Sequence, residues 1–232
     1  MALSLGLLVA AVGWALSTVS PGSAAYADEP GIVYAVAYVE VTPSAATEAR
    51  ALLRAFRDAS RREEGNVRFD ALHRSERTNH FAIVEAWKSQ AAHEAHARSA
   101  VTSEFRTKLK GLLSAAYDER LHVGLAVGPG LAVAGPGAMW VLTHVDVVPT
   151  FKDPGIAIVK ELAVASRQDP GNHRFDALTQ SNRANHMTLV EVWADRPAFE
   201  RHMVAPHVKK FRDALAPMSG SLYDERLYTP ID

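Results

Sequence analysis

Residues 34–41 are apolar almost without interruption and stop short of Pro43, and their β-branched and aromatic side chains predict a strand. From 44 to 64 the pattern changes. Ala51, Leu52, Ala55, Phe56 and Ala59 recur at helical spacing, and Gly65 stands where a helix-ending glycine belongs. Residues 67–73 and 81–87 predict two strands joined by the polar stretch 75–79. Residues 89–113 return to helical spacing, with a break expected near Ser99, and 115–122 predict a closing strand. The order β-α-β-β-α-β is the split ferredoxin-like arrangement, in which helices cover one face of a four-stranded antiparallel sheet. The strands are too apolar to leave the other face wet, so that face needs a partner.

The chain supplies the partner itself. Gly65-Asn66-Val67-Arg68-Phe69-Asp70-Ala71-Leu72 returns 106 residues on as Gly171-Asn172-His173-Arg174-Phe175-Asp176-Ala177-Leu178. The same offset carries Asn79-His80, Glu85, Trp87, Glu94, His96 and Phe105-Arg106 onto Asn185-His186, Glu191, Trp193, Glu200, His202 and Phe211-Arg212. It also carries Tyr117-Asp118-Glu119-Arg120-Leu121 onto Tyr223-Asp224-Glu225-Arg226-Leu227, and Pro206 marks the second repeat's helix break. A period this long means duplicated domains, since solenoid repeats run at about 20–50 residues. The expected organisation is α+β: ferredoxin-like units at 31–123 and 139–230, forming an intramolecular dimeric barrel. Residues 124–138, rich in Gly, Ala, Val and Pro, read as a flexible linker, or with an extra strand at 125–133.

Composition narrows the function classes. Among 232 residues the net charge is −1, so no nucleic acid partner is expected. Cysteine is absent, which excludes disulfides and thiolate chemistry. Residues 3–19 are almost wholly apolar and are followed by Ala25-Tyr26-Ala27, the small-x-small form of a signal-peptidase site. Residues 1–27 are read as an export signal, although the positive start usual in such signals is missing. The competing reading is a membrane anchor. Export implies a periplasmic or secreted product with no stable membrane span after cleavage.

The motif Gly-Asn-x-Arg-Phe-Asp, then Asn-His with Glu-x-Trp, Glu-x-His and Tyr-Asp-Glu-Arg-Leu resembles the antibiotic biosynthesis monooxygenase family, and does so in both halves. The resemblance implies a dimeric α+β barrel, made here by one chain as a pseudo-dimer, with further homo-oligomers left open. It also implies a monooxygenase that oxidises a phenol or quinol with dioxygen and uses no cofactor. An electron-rich phenolate can itself reduce oxygen, so the protein need only hold it, deprotonate it and stabilise the developing charge. The alternative is a non-catalytic exported barrel that binds a small hydrophobic ligand or a partner.

The expected site follows from the repeated residues. Trp87 and Trp193 either wall an aromatic substrate or fill the sheet–helix core. Glu85 and Glu191 share their face and either take a proton or pair with an arginine such as Arg68 or Arg120. His96 and His202, on the next helix, are candidate proton acceptors near neutral pH or helix-surface residues. Asn66 and Asn172 are candidate catalytic amides or turn residues. Arg68 and Arg174, with Asp70 and Asp176, are expected on the same strand face as the Asn, as oxyanion stabilisers or internal ion pairs. His93-x-x-His96 has metal-like spacing, but Phe199 replaces the first His in the second repeat and no third ligand follows, so no metal is expected. His207 has no counterpart, because Val101 occupies its place in the first repeat.

Overall fold

A computed structural model of the protein describes residues 31–129 and 137–232. The expected signal at 1–27 and residues 130–136 of the expected linker, with the end of the alternative strand at 125–133, lie outside the described residues. The first repeat runs β1 (Val33–Glu40), α1 (Ala46–Ser60), β2 (Asn66–Arg74), β3 (His80–Trp87), α2 (Gln90–Ala97), α3 (Ala100–Lys110) and β4 (Asp118–Ala126). The second runs β5 (Met139–Asp146), α4 (Lys152–Ser166), β6 (Asn172–Gln180), β7 (Arg183–Trp193), α5 (Arg196–Met203), α6 (Pro206–Leu215) and β8 (Asp224–Pro230). No helix among the described residues is long and apolar enough to cross a membrane.

The helix breaks fall where the sequence places them. Ser99 leaves helical geometry, and its hydroxyl accepts from Thr102 N–H at 3.1 Å, capping α3. In the second repeat Pro206 starts α6, where its missing N–H costs nothing. Gly65 and Gly171 join helix to strand at φ +81° and +87°. A Cβ there would approach Ala92 Cβ to 2.7 Å and Ala198 Cβ to 2.6 Å, so both torsion and space demand glycine.

Each repeat orders its strands β4-β1-β3-β2 and β8-β5-β7-β6, and the two sheets join edge to edge as one closed barrel, β1-β3-β2-β8-β5-β7-β6-β4. One join pairs Leu72, His73 and Arg74 with Pro230, Thr229 and Tyr228; the other pairs His122, Val123 and Gly124 with Gln180, Thr179 and Leu178. The second join carries β4 to Ala126, three residues into the expected linker, because β6 offers a free edge there. Closure removes the unpaired edges that each sheet alone would expose.

Both faces of the barrel wall are covered, which accounts for the near-continuous apolar runs. Val36, Leu72, Ala82, Val84, Trp140, Leu142, Val190 and Tyr228 fill the interior. Outside, α1 and α3 close a core on Phe69, Ile83 and Trp87, and α4 and α6 close one on Phe175, Leu189 and Trp193. The candidate site lies in these outer layers.

Candidate active site

The last turn of β3 and the helix after it bring Trp87, Glu85 and His96 together. Trp87 and Glu85 lie two residues apart on the outer face, and the indole N–H donates to Glu85 Oε2 at 2.8 Å. The His96 ring stacks on the indole at 4.4 Å between centroids, and its Nε2 lies 3.7 Å from Glu85 Oε2. Its Nδ1 meets Glu63 Oε2 at 2.9 Å, at the end of the α1–β2 turn. The second repeat copies the cluster. Trp193 donates to Glu191 Oε2 at 2.9 Å, Thr143 donates to Glu191 Oε1 at 3.4 Å, and His202 lies 4.5 Å from the indole. His202 Nδ1 meets Asp169 Oδ2 at 2.8 Å, so Asp169 takes the place of Glu63.

The clusters are dry. Both indoles have 0% exposure, and the imidazoles have 4% and 5%. Desolvation disfavours charge, so Glu85 is pushed up to about 7 and Glu191 to about 8, against the lowering effect of the indole N–H. Burial likewise lowers the pKa of His96 and His202, against the carboxylates at their Nδ1 atoms. A carboxylate at Nδ1 fixes the proton on that nitrogen and leaves Nε2 free to accept another, the logic of an oriented catalytic histidine. Each repeat thus holds an acceptor imidazole beside a carboxyl that titrates near neutrality.

The Glu85 shift has a direct test. Its folded-state pKa is raised, so its stabilising effect is full below about pH 4.5 and is lost as pH rises through about 7. Glu85→Gln keeps the shape and accepts the indole N–H. Between pH 4.5 and 8 urea unfolding is expected to show the Gln variant gaining on wild type by on the order of 3 kcal/mol. The lowered His122 and His144 act in the opposite direction, but neither interacts with Glu85, so they do so in both proteins and drop out of the difference. Parallel stability profiles would show that Glu85 does not titrate in this range.

The asparagines and arginines go elsewhere. Asn66 and Asn172 stand opposite Trp87 and Trp193 in register, but their amides donate to the carbonyls of Arg68 at 3.2 Å and Arg174 at 3.1 Å. This is turn chemistry. The expectation that Arg68 and Arg174 share the Asn face is overturned by a β-bulge in each strand. The register slips between Asn66 and Arg68 and between Asn172 and Arg174, so the arginines stand opposite Ala86 and Val192 of the barrel interior. There they pair with Asp70 and Asp176, and Arg68 lies over the Trp140 ring at 4.7 Å.

Three repeated residues that were not singled out as site candidates belong to the outer layer: Arg106, Tyr117 and Glu119, with Arg212, Tyr223 and Glu225. Arg106 pairs with Glu119 and lies 3.5 Å over the Tyr117 ring. Glu85 and Glu191 push the pKa of Tyr117 and Tyr223 up electrostatically, on top of a larger desolvation effect. Their signal was the offset itself, which returns all three.

The repeats differ at one wall. His93 lies 3.6 Å from Glu119, and that contact holds the Glu119 pKa below the ordinary carboxylate value. Phe199 replaces His93 in the second repeat, Arg212 stands 3.8 Å from Glu225, and burial raises the Glu225 pKa. A cleft opens beside each of these glutamates where the halves join. One, of 590 Å³, is bordered by Asp118, Glu119, Arg120 and the hairpin around Asn182; the other, of 150 Å³, by Arg74, Phe199 and Glu225.

Known proteins align with both repeats. The family model for antibiotic biosynthesis monooxygenase matches residues 32–108 and again 139–214. YcnE of Bacillus subtilis (strain 168), described as a candidate monooxygenase, is 35% identical over 82 residues, covering 35% of this chain and 86% of its own. A solved candidate monooxygenase from Fusobacterium nucleatum superposes at TM-score 0.79 and 16% identity, over 89% of this chain and 94% of its own. One from Lactobacillus acidophilus NCFM superposes at TM-score 0.72 and 16% identity, over 87% and 95%. At that identity the two structures establish the shared fold.

Proposed function

The chain belongs to the antibiotic biosynthesis monooxygenase family, its general activity is that of a monooxygenase, and from that premise we propose that it oxidises a phenol or quinol with dioxygen and no resident cofactor. The observation that carries the reading is the duplicated dry pairing of an acceptor imidazole with a carboxyl, each held by a second acidic or indole group.

The chemistry balances without another reductant. A phenol and one dioxygen give a quinone and one water: one oxygen atom bonds to the ring carbon, the other leaves as water, and the ring supplies the electrons. The chain's part is proton transfer and charge stabilisation. His96 or His202 takes the phenolic proton at Nε2, and Glu85 or Glu191 relays it. Glu63 or Asp169 holds the ring, and Arg106 or Arg212 faces the developing oxyanion. Glu119 and Glu225 of this layer each border a cleft, and substrate entry to the sealed clusters requires an opening, for which the helix joints at Ser99 and Ala205 are the natural places. With residues 1–27 read as an export signal, the reaction takes place in the periplasm or outside the cell.

The fully sealed indoles favour a second reading, a barrel that binds a small hydrophobic molecule without turning it over. Oxygen uptake by untagged, chelator-treated protein with a panel of quinols and polyphenols separates the two. The expected result is uptake of one dioxygen per substrate consumed. Uptake lost on chelation would overturn the cofactor-free claim, and ligand binding without uptake would establish the second reading.

A further inference from the structure

We infer that Asp169, His202 and His207 form a divalent transition-metal site, present in the second repeat alone. This goes beyond the proposed oxidation and does not depend on it. The three ligand atoms all lie within 4.8 Å of one another. Asp169 Oδ2 is the hub, 2.8 Å from His202 Nδ1 and 3.1 Å from His207 Nε2. Donor atoms about 2.0–2.2 Å from a tetrahedral zinc stand about 3.3–3.6 Å apart, so a small outward shift of the rings from Asp169 admits the ion. His207 Nε2 is buried and, despite its closeness to Asp169, makes no aligned hydrogen bond, which leaves this nitrogen available as a ligand atom.

Three elements converge to build the site. Asp169 follows α4 in the tight turn that ends at Gly171, His202 lies in the last turn of α5, and His207 lies in the first turn of α6. Two imidazoles and one carboxylate suit zinc, cobalt, nickel or iron, and three protein ligands leave a position for water. The far nitrogen of His202 faces Glu191 Oε2 at 4.0 Å, beyond hydrogen-bond reach but positioned to close on it when the ring shifts toward a metal. Nearby cations are occupied: Lys210 pairs with Glu161 at 2.7 Å, and Arg212 reaches Met203 Sδ at 3.2 Å. A 120 Å³ cleft between α4 and α6, walled by Leu162, His207 and Phe211, gives entry.

The first repeat supplies the control. Glu63 and His96 reproduce the pair, but Val101 stands where His207 stands, leaving two donors. A metal on His202 Nδ1 moves that ring's proton to Nε2 and ends its use as a proton acceptor, so metal occupancy leaves the first repeat as the only one competent for proton transfer.

The test is titration of untagged, EDTA-stripped full-length protein with Co²⁺, read by visible d–d absorption, and with Zn²⁺, read by calorimetry. Wild type is expected to take one equivalent. His207→Val, which copies the first repeat, should lower affinity at least about 100-fold with an unchanged circular dichroism spectrum. Val101→His should create a second equivalent with Glu63 and His96. Absence of saturable binding, or equal affinity in wild type and His207→Val, would overturn the site. None of these readouts needs a substrate, so their failure leaves the oxidation reading standing.

Discussion

Trp87→Ala is expected to lower the free energy of unfolding by about 3–5 kcal/mol, the largest stability effect at any single candidate residue. The indole has no exposed surface and packs with Phe69, Ile83 and Phe105, so truncation leaves a cavity that the surrounding strands cannot collapse to fill. A second cost arises at Glu85, which loses the indole N–H that donates to it at 2.8 Å. Trp87→Phe separates the two, because it keeps most of the volume and removes the donor. Its expected cost is about 1–3 kcal/mol, the penalty of an unsatisfied buried acceptor. Urea unfolding of the three proteins gives both numbers. A Trp87→Ala cost below about 1 kcal/mol would show that the indole is not a core residue.

The duplication made the architecture readable. Strands apolar on both faces require cover on both sides, and a gapless second copy identifies what covers the inner face. Edge pairing was not readable, because a strand's free hydrogen bonds leave no mark in its composition, and β4 therefore runs further than its pattern suggested. The pairing of Trp with His was readable through their common offset. The fate of the arginines was not. One inserted residue, Val67 or His173, turns the strand so that Arg68 and Arg174 face inward, and an inserted residue looks like any other in a sequence. Glu63 and Asp169 escaped notice because they differ in length, although both reach the same Nδ1. The contact of His207 with Asp169 crosses from the end of one helix to the start of another, which spacing along a single helix cannot reveal.

Turnover is expected to fall about 100-fold or more when His96→Ala and His202→Ala are combined, the usual contribution of a positioned general base. Either single substitution should leave a large part of the activity, because the other repeat retains its cluster. Steady-state oxygen uptake on the chelator-treated single variants and double variant, with the second repeat free of metal, shows the pattern. The expected loss lies in kcat, with KM little changed, since the imidazole acts on the proton and not on the ring of the substrate. Unchanged turnover in the double variant would remove histidine from the mechanism.

The two edge pairings, β2 with β8 and β4 with β6, lie within one covalent chain. Closing a barrel from separate subunits is a second-order event, so dilution opens it and the melting temperature rises with concentration. Here the tether holds each edge at a fixed effective concentration of its complement, and closure becomes first-order. The melting temperature of this protein therefore carries no concentration dependence from barrel closure, and the barrel stays shut at any dilution the cell or its surroundings impose.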